Sequence, residues 1–513
     1  MWAQGRGGTI PFMSPVHTNV LSGGQHWPQR PKRVTVLGAG VAGLVAAHEL
    51  ERLGHSVEVL EARLEVGGRV RTHSFVGRGP LAELGAMRIP ASHHRTMQWI
   101  DLLGLSDRVR QFRTLFSDDS SYLETCTGHL RVRDATSVLV EEFRRGLPPG
   151  EYREESVLAA TWLTASVNAV APGAFRTNLH SDLNLELLDL LDGIDVRPFF
   201  VSTGGVERLD VNRFFAGNPK FAGRSRLAHF FDDITVETSS ALFRLEGGMD
   251  QITVRLAGSL RGPVHRGRQV IGLHVRPDGV VVETRRGLDV VASHCDYVLC
   301  TVPFSVVRRM NLSGLDDDKV ATVHDMQYWP ATKIAVHCQD AFWEGDGISG
   351  GGSFTGGLVR QTYYPPVESD PRLGAALLAS YTIGPDSDAL TRFSPQERER
   401  VVLDELSRIH PELKRPGMVL DVVTQAWGED FSSMGAASVR WSKDAATAEE
   451  ERALAAKPQG TLFFAGEHCS TYPAWIEGAI ESGLAAAQDV HAAAPAERPL
   501  VATGYRRMRG GAA

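Results

Sequence analysis

The chain has 513 residues, long enough for about three domains and a large core. Its hydrophobic content of 42% and charged content of 22% are those of an ordinary globular protein. The net charge of −7 gives no reason to expect nucleic acid as a partner, and no apolar run approaches the ~18 residues that span a bilayer. Five cysteines (Cys126, Cys295, Cys300, Cys338, Cys469) show no metal-ligand spacing. They predict no disulfide framework and a reducing, cytoplasmic setting, with Cys295 and Cys300 as small core residues of one strand run.

Pro11, Pro15 and His17 interrupt the N-terminus, so no signal-peptide pattern is visible there. Residues 1–31 read as an extended arm that packs across a neighbour. The next segment is the most informative. Val34-Thr-Val-Leu-Gly-Ala-Gly-Val-Ala-Gly43 is an apolar run ending in Gly38-x-Gly40-x-x-Gly43. An amphipathic helix follows, carrying Val41, Leu44, Val45 and His48, with Gly54 as its stop. A second apolar run, Val57-Glu-Val-Leu-Glu61, ends in an acid near the ~20-residue spacing of a dinucleotide-binding βαβ unit.

Each residue has a task there. Gly38 permits the turn, Gly40 lets backbone approach the pyrophosphate, and Gly43 lets helix and strand pack closely. The helix N-terminus offers free N–H groups to phosphate. Glu61 would accept hydrogen bonds from ribose hydroxyls, which argues against a 2′-phosphate. Gly67-Gly68-Arg69 supplies a second glycine pair and an arginine for the same pyrophosphate.

Glu83-Leu-Gly-Ala-Met-Arg88-Ile-Pro90 is the second signal. Gly85-Ala86 would let backbone pass close to a flat ring. Arg88, just before a helix start, is either a bidentate fork for a carboxylate or a surface salt-bridge partner. His93 and His94 read as first-turn polar residues. Residues 92–240 read mostly as helices, including the Met97–Leu105 and Leu183–Leu191 runs.

Beyond Gly247-Gly248, Val270–Val275 and Val280–Thr284 flank Pro277-Asp278-Gly279 as a hairpin. Tyr297–Val302 is a buried strand. Lys333 opens the alternating strand Lys333–Cys338. It is either a cation holding a water near a flat cofactor or a snorkelling edge lysine. Tyr381 ends the Ala375–Ser380 run, as a carboxylate donor or a plain sheet tyrosine. Ser394-x-x-Glu397 is a capping box whose helix ends by Pro411. Thr461–Phe464 is a core strand leading into Gly466-Glu467 and a helix from about Ala474 to Val490. Its positive end could stabilise negative charge on a reduced ring. Trp475 is either a wall of a substrate slot or a core aromatic, and His468 is a loop residue.

Taken together, these segments resemble the flavin amine oxidase superfamily and, within it, the L-amino-acid oxidases. The resemblance covers most of residues 32–490. The stretch Thr332-Lys333-Ile…Phe342-Trp343-Glu-x-Asp-Gly-Ile348-x-Gly-Gly…Tyr363-Tyr364-Pro365 carries it more specifically than the glycine motif. It implies an α/β fold: an FAD-binding Rossmann-like domain of the two-dinucleotide-binding type (32–75, 246–325, 455–492), a mixed-sheet substrate domain (76–135, 326–454) and a helical domain (136–245). A flexible tail (493–513) follows.

The resemblance implies roles for the matched positions. Arg88 and Tyr381 would bind a substrate carboxylate. Lys333 would be catalytic, holding a water near flavin N5. Ala474, where many relatives have glycine, and Trp475 would line the substrate site. FAD would be bound by Gly38, Ala39, Gly40, Gly43, Glu61, Ala62, Arg63, Gly68, Arg69, Gly85, Ala86, Met87, Arg88, Val270, Glu467, Trp475 and Ile476, with Val270 meeting adenine through its backbone. Some relatives place a base histidine before the Asp-Asp-Ile stretch; here Phe231 stands there. Covalent-flavin relatives carry a cysteine where this chain has Ser432-Ser433-Met434, so FAD is expected to be non-covalent. Trp427 matches a family tryptophan.

The expected reaction is oxidation of an L-amino acid by molecular oxygen to a 2-oxo acid, ammonia and hydrogen peroxide, in a homodimer with no membrane or nucleic-acid partner. Phe214, Phe215, Phe230 and Phe231 suggest an apolar or aromatic side chain. An amine or polyamine oxidase, or an amino-acid monooxygenase giving an amide, are the alternatives.

Overall fold

A computed structural model describes residues 31–494 apart from 78, 115, 172, 174–182, 204–205, 226–230, 232–233, 237–240 and 441–442. The N-terminal arm (described only at residue 31), the tail beyond 494, and Phe230, Asp232 and Asp233 lie outside these residues.

Strand β1 (Arg33–Leu37), helix α1 (Val41–Arg52) and β2 (Ser56–Leu60) form the expected unit, and Leu53 and Gly54 (φ 86°) close the helix. Helix α2 (His94–Leu102) and the hairpin β3 (Tyr122–Thr125) and β4 (Gly128–Arg131) follow. Next come α3 (Thr136–Arg145), α4 (Glu154–Val170), α5 (Leu183–Leu191) and α6 (Val211–Gly217). These helices bury one apolar cluster around Trp162, Leu163, Leu187 and Phe214. The 92–240 region is less helical than expected. It also holds β3–β4, the short strand Val109–Gln111 and a hairpin of Phe200–Thr203 with Val206–Leu209. Strands this short give too few alternations to register against a helical background.

The chain then returns to the first unit. β5 (Val264–His265) pairs with β2, and β6 (Gln269–Arg276) and β7 (Gly279–Arg286) make the expected hairpin. β8 (Asp289–Cys295) adds an exposed edge to it, and β9 (Tyr297–Cys300) pairs with β1. Cys295 and Cys300 therefore belong to different strands and different sheets, split at Asp296, whose carboxylate pairs with Arg33. All five cysteines are free thiols.

β10 (Ala331–Cys338), β11 (Gly352–Gly356), β12 (Arg360–Tyr363), β13 (Ala375–Ile383) and β14 (Val419–Ala426) build a mixed sheet with β3 and β4, in the order β14-β10-β13-β12-β11-β3-β4. β10 is interior and buried along its whole length, and Lys333 is its third residue. β13 runs past Ser380, so Tyr381 lies within it. The Ser394–Glu397 capping box forms as expected.

β15 (Leu462–Phe464) completes a parallel sheet, β5-β2-β1-β9-β15, and α7 (Ile476–Ala492) packs on α1. A Cβ on Gly483 of α7 would lie 2.6 Å from the Ala42 carbonyl oxygen, so this glycine sets how closely the two helices approach. Both helices thereby aim their N-termini at the same end of the sheet, where parallel α/β folds place their ligands. α7 begins at Ile476 rather than Ala474, because Ala474 adopts φ 69° and Trp475 is the extended N-cap. Among the described residues no helix is long and apolar enough to cross a membrane.

Candidate active site

A cleft opens where β1, α1 and α7 meet. At its phosphate end, Gly38 turns with φ 102° over the Thr301 side chain. A Cβ on Gly43 would sit 2.1 Å from the Gly38 carbonyl oxygen, so only glycine fits. At Gly40 an added Cβ would meet nothing within 4 Å: the space above the helix start is open. No side chain caps α1, which leaves its first amides for a ligand. Gly67 donates its N–H to the Ala39 carbonyl at 2.9 Å, bringing Gly68 and Arg69 against the same opening.

The Glu61 carboxylate ends β2 inside the cleft and accepts the amides of Ala39 (2.7 Å) and Arg63 (2.8 Å). Desolvation raises its pKa, against the pull of those two amides. Ala62 and Val270 line the wall nearby. An open helix start above a glycine turn, with an acid at the end of the neighbouring strand, has the shape and charge to hold the pyrophosphate and ribose of FAD.

Toward the other end, Glu467 is fully enclosed. It accepts from Arg69 (2.7 Å), the Ser438 hydroxyl (2.7 Å) and the Ala474 amide (3.0 Å). Burial opposes its ionisation, but the Arg69 guanidinium and these donors hold its pKa down to about 2. Glu467 thus fastens the left-handed Ala474 turn that presents Trp475 and Ile476 to the cleft. The Glu477 carboxylate, in the first turn of α7, caps α2 instead, accepting the Thr96 amide and hydroxyl at 2.8 Å each.

Lys333 sits directly across the sheet from Tyr381, its ammonium 4.9 Å from the ring centre. It is neither an edge lysine nor unpaired. Nζ donates to the backbone carbonyls of Gly85 (2.6 Å) and Glu83 (3.1 Å). An ammonium has three donors, so one remains for the cleft that Lys333 lines. Burial, reinforced by the positive Arg88, brings the Lys333 pKa down to about 7. Desolvation pushes the Glu83 carboxyl up to about 8 although the Met249 amide and Thr72 hydroxyl donate to it.

Arg88 lies over Trp475, with Cζ 5.9 Å from the ring centre. Its positive charge acts on Lys333, which brings it into the surroundings of the Lys333–Tyr381 pair. It precedes a two-residue strand, Ile89–Pro90, and α2 starts only at His94. His93 is buried, with its ring 5.0 Å from Trp475.

Some expectations are redirected. Gly85 and Ala86 line the cleft, but the close approach that requires Gly85 is to backbone: a Cβ there would meet the Arg69 carbonyl oxygen at 2.1 Å. Ala39 and Gly43 are interior residues of the turn, Arg63 pairs with Asp430 at 3.0 Å, and Met87 faces a separate cavity of about 690 Å³. Phe214, Phe215 and Phe231 pack on one another in the core of the helical layer and not in the cleft. His468, read as a loop residue, lies in the short helical turn Glu467–Cys469 and is fully buried beside Phe304.

The structure also adds Thr301 and gives Trp427 its place. Thr301 donates to the Leu37 carbonyl at 2.8 Å beneath the glycine turn. Trp427 lines the cleft and donates to the Leu84 carbonyl at 2.8 Å. The buried Tyr363 hydroxyl donates to Gln361 Oε1 at 3.0 Å. Thr301 and Tyr363 owe their place to strand pairing across long sequence separations, which leaves no local pattern to read.

Fold and cleft together define a dinucleotide-binding flavoprotein. The chain belongs to the family described as flavin containing amine oxidoreductase, which it matches over residues 41–491. It is 52% identical over 465 residues to the flavin-dependent L-tryptophan oxidase RebO of Lentzea aerocolonigenes, covering 90% of this chain and 98% of that protein. It is 29% identical to an L-amino-acid oxidase of Daboia russelii, covering 90% of each. A putrescine oxidase structure with bound putrescine shares the fold, with a TM-score of 0.60 at 21% identity, over 90% of this chain and all of that one. The protein is an FAD-dependent oxidoreductase.

Proposed function

We propose that the protein oxidises L-amino acids with an indole or similar aromatic side chain, giving a 2-oxo acid, ammonia and hydrogen peroxide. The observation that carries this reading is the Lys333–Tyr381 pair and Trp475 in the lining of the FAD cleft, with Arg88 lying over the Trp475 ring. The preference for indole is supported by the 52% identity to a tryptophan oxidase, since Phe214, Phe215 and Phe231 lie in the helical core.

FAD, held by the Gly38–Gly43 turn, Glu61, Gly68, Arg69 and Glu467, would accept a hydride from the amino-acid Cα and pass two electrons to oxygen. The chain's own residues mostly position. Arg88 and Tyr381 grip the carboxylate and aim the Cα hydrogen at the cofactor. Trp475 forms a flat wall, and Ala474 keeps the wall's edge small. Arg88 also selects against plain amines, which offer its guanidinium no carboxylate to grip. Lys333, which lines the cleft and is anchored by the Gly85 and Glu83 carbonyls, would hold a water there. Hydrolysis of the imino acid needs only water.

FAD is proposed to bind non-covalently: Ser432 and Ser433 line the cleft and no cysteine is among its described lining residues. A homodimer in a reducing, cytoplasmic setting, and the three-domain division with a helical domain over 136–245, belong to the same reading. Peroxide release from L-tryptophan but not tryptamine tests it. Equal release from both would overturn it.

A further inference from the structure

Helices α2 and α7 start side by side, and their starts interlock. Trp475 is the N-cap of α7, and His93 is the N-cap of α2, shortly after Arg88. Glu477, in the first turn of α7, turns its carboxylate onto α2. Oε2 accepts the Thr96 amide and hydroxyl at 2.8 Å each. Oε1 accepts the Arg95 amide at 3.2 Å and the Arg95 guanidinium at 3.3 Å. His93 reaches the other way. Its ring meets the Trp475 indole in a T-shaped contact, 5.0 Å between centres and 81° between planes. It meets the Tyr472 ring at 5.7 Å.

His93 does not cap α2 with its own side chain, so Glu477 supplies the acceptors that the first amides of this helix lack. Glu477 is 2% exposed and His93 is 5% exposed, so both contacts are shielded from water. A buried carboxylate held by these donors keeps one position, and it ties the stretch after Arg88 to the stretch that carries Trp475. Burial lowers the His93 pKa, so at neutral pH the ring is uncharged and packs as an aromatic. His93 does not line the cleft, whereas Trp475 does. The same indole has the Arg88 Cζ 5.9 Å from its centre. A wall fixed before substrate arrives has less freedom to lose on binding.

We infer that Glu477 and His93 are positioning residues: by locking the start of α2 to the start of α7 they fix the Trp475 ring and its spacing from Arg88, and so set the fit of an aromatic side chain in the slot. The inference rests on the slot roles proposed for Trp475 and Arg88. Both residues act through Trp475. A wall meets substrate in the ground state and the transition state alike, so loosening it raises KM and leaves kcat nearly unchanged.

The test uses enzyme saturated with FAD and L-tryptophan as substrate. His93→Ala should raise KM about fivefold, with kcat within about twofold. His93→Phe, which restores a ring, should bring KM back to within about twofold of wild type. Glu477→Ala should raise KM about tenfold, and Glu477→Gln, which keeps an acceptor for Thr96, should limit the rise to about threefold. Indole-3-propionate has the same ring and carboxylate but no amine to oxidise. Its Kd, titrated by flavin absorbance, should move in step with KM. KM and Kd within about twofold of wild type in both alanine variants would overturn the inference and leave the interlock a structural cap. A rise in His93→Phe as large as in His93→Ala would also overturn it. If Glu477→Ala does not fold, the His93 pair decides by the same limits. Unchanged KM and Kd in Trp475→Ala would defeat the slot reading itself.

Discussion

At the phosphate end of the cleft most of the wall comes from one continuous stretch, residues 33–69, in which the glycine turn, α1, β2 and the Gly67–Arg69 corner follow in order. At the carboxylate end Lys333, Tyr381 and Trp475, with Arg88 over the Trp475 ring, arrive from separate elements. The first end is a local solution to a backbone problem: keep Cβ atoms away from a pyrophosphate. The second is a global one, in which sheet register sets side chains face to face, as with Lys333 opposite Tyr381. Damage should differ accordingly, with cofactor retention failing at one end and substrate recognition at the other.

The sharpest separation is expected from Arg88→Ala. Losing a charge-assisted grip on a carboxylate should lower kcat/KM for L-tryptophan by about 10³-fold, while the visible flavin spectrum and FAD content persist. Steady-state kinetics with a flavin assay checks both halves.

Gly43→Ala should act in the opposite sense. Forcing a methyl to 2.1 Å from the Gly38 carbonyl oxygen is expected to cost about 1–3 kcal/mol and to release FAD. Thermal unfolding with and without added FAD would show it, and substrate KM in the remaining holoenzyme should barely move.

Lys333→Met is expected to slow flavin reoxidation about tenfold and reduction much less, read by stopped-flow absorbance. The wild-type oxygen step should weaken as pH rises through about 7, where Lys333 loses its charge, and the variant should lack that inflection. The same group gives a stability signature. Its pKa is about 7 in the folded protein against an ordinary value of 10.5, so between those limits the unfolded chain binds more protons. Wild-type stability should therefore gain from this residue as pH rises from about 7 toward 10.5, and Lys333→Met should remove the gain. Chemical denaturation at several pH values measures it.

The smallest effect belongs to Ala474→Gly. Relieving the positive φ at 69° should change stability by less than about 1 kcal/mol, because the strain removed is offset by the freedom glycine gains in the unfolded chain. A large loss of stability would mean that the methyl has a packing role in the turn.

The same contrast explains what the sequence could show. The nucleotide turn was legible because its requirements fall on adjacent positions: Gly38, Gly40 and Gly43 each stand where a side chain is excluded or space is needed, and Glu61 follows on the next strand. Arg88, Lys333 and Tyr381 were individually ambiguous. An arginine in a loop, a lysine in a strand and a tyrosine in a sheet each have ordinary explanations, and only the resemblance to a family separated them. The sheet resolves the ambiguity by burying Lys333 in an interior strand opposite Tyr381. Phe214, Phe215 and Phe231 misled for the converse reason: clustered aromatics suit a pocket or a core equally, and here they fill the core. Short strands between residues 109 and 209 were invisible against helical surroundings. Gln361 gave no signal, because its bonds to the Ala169 carbonyl and the Tyr363 hydroxyl depend on where α4 ends against β12.

Anaerobic mixing of the FAD-loaded protein with L-tryptophan or tryptamine, followed by flavin absorbance, puts the carboxylate grip to its most direct trial. L-Tryptophan should bleach the wild-type flavin rapidly and tryptamine should not, and Arg88→Ala should abolish the difference. Bleaching of the wild-type flavin by tryptamine as fast as by L-tryptophan would contradict the account.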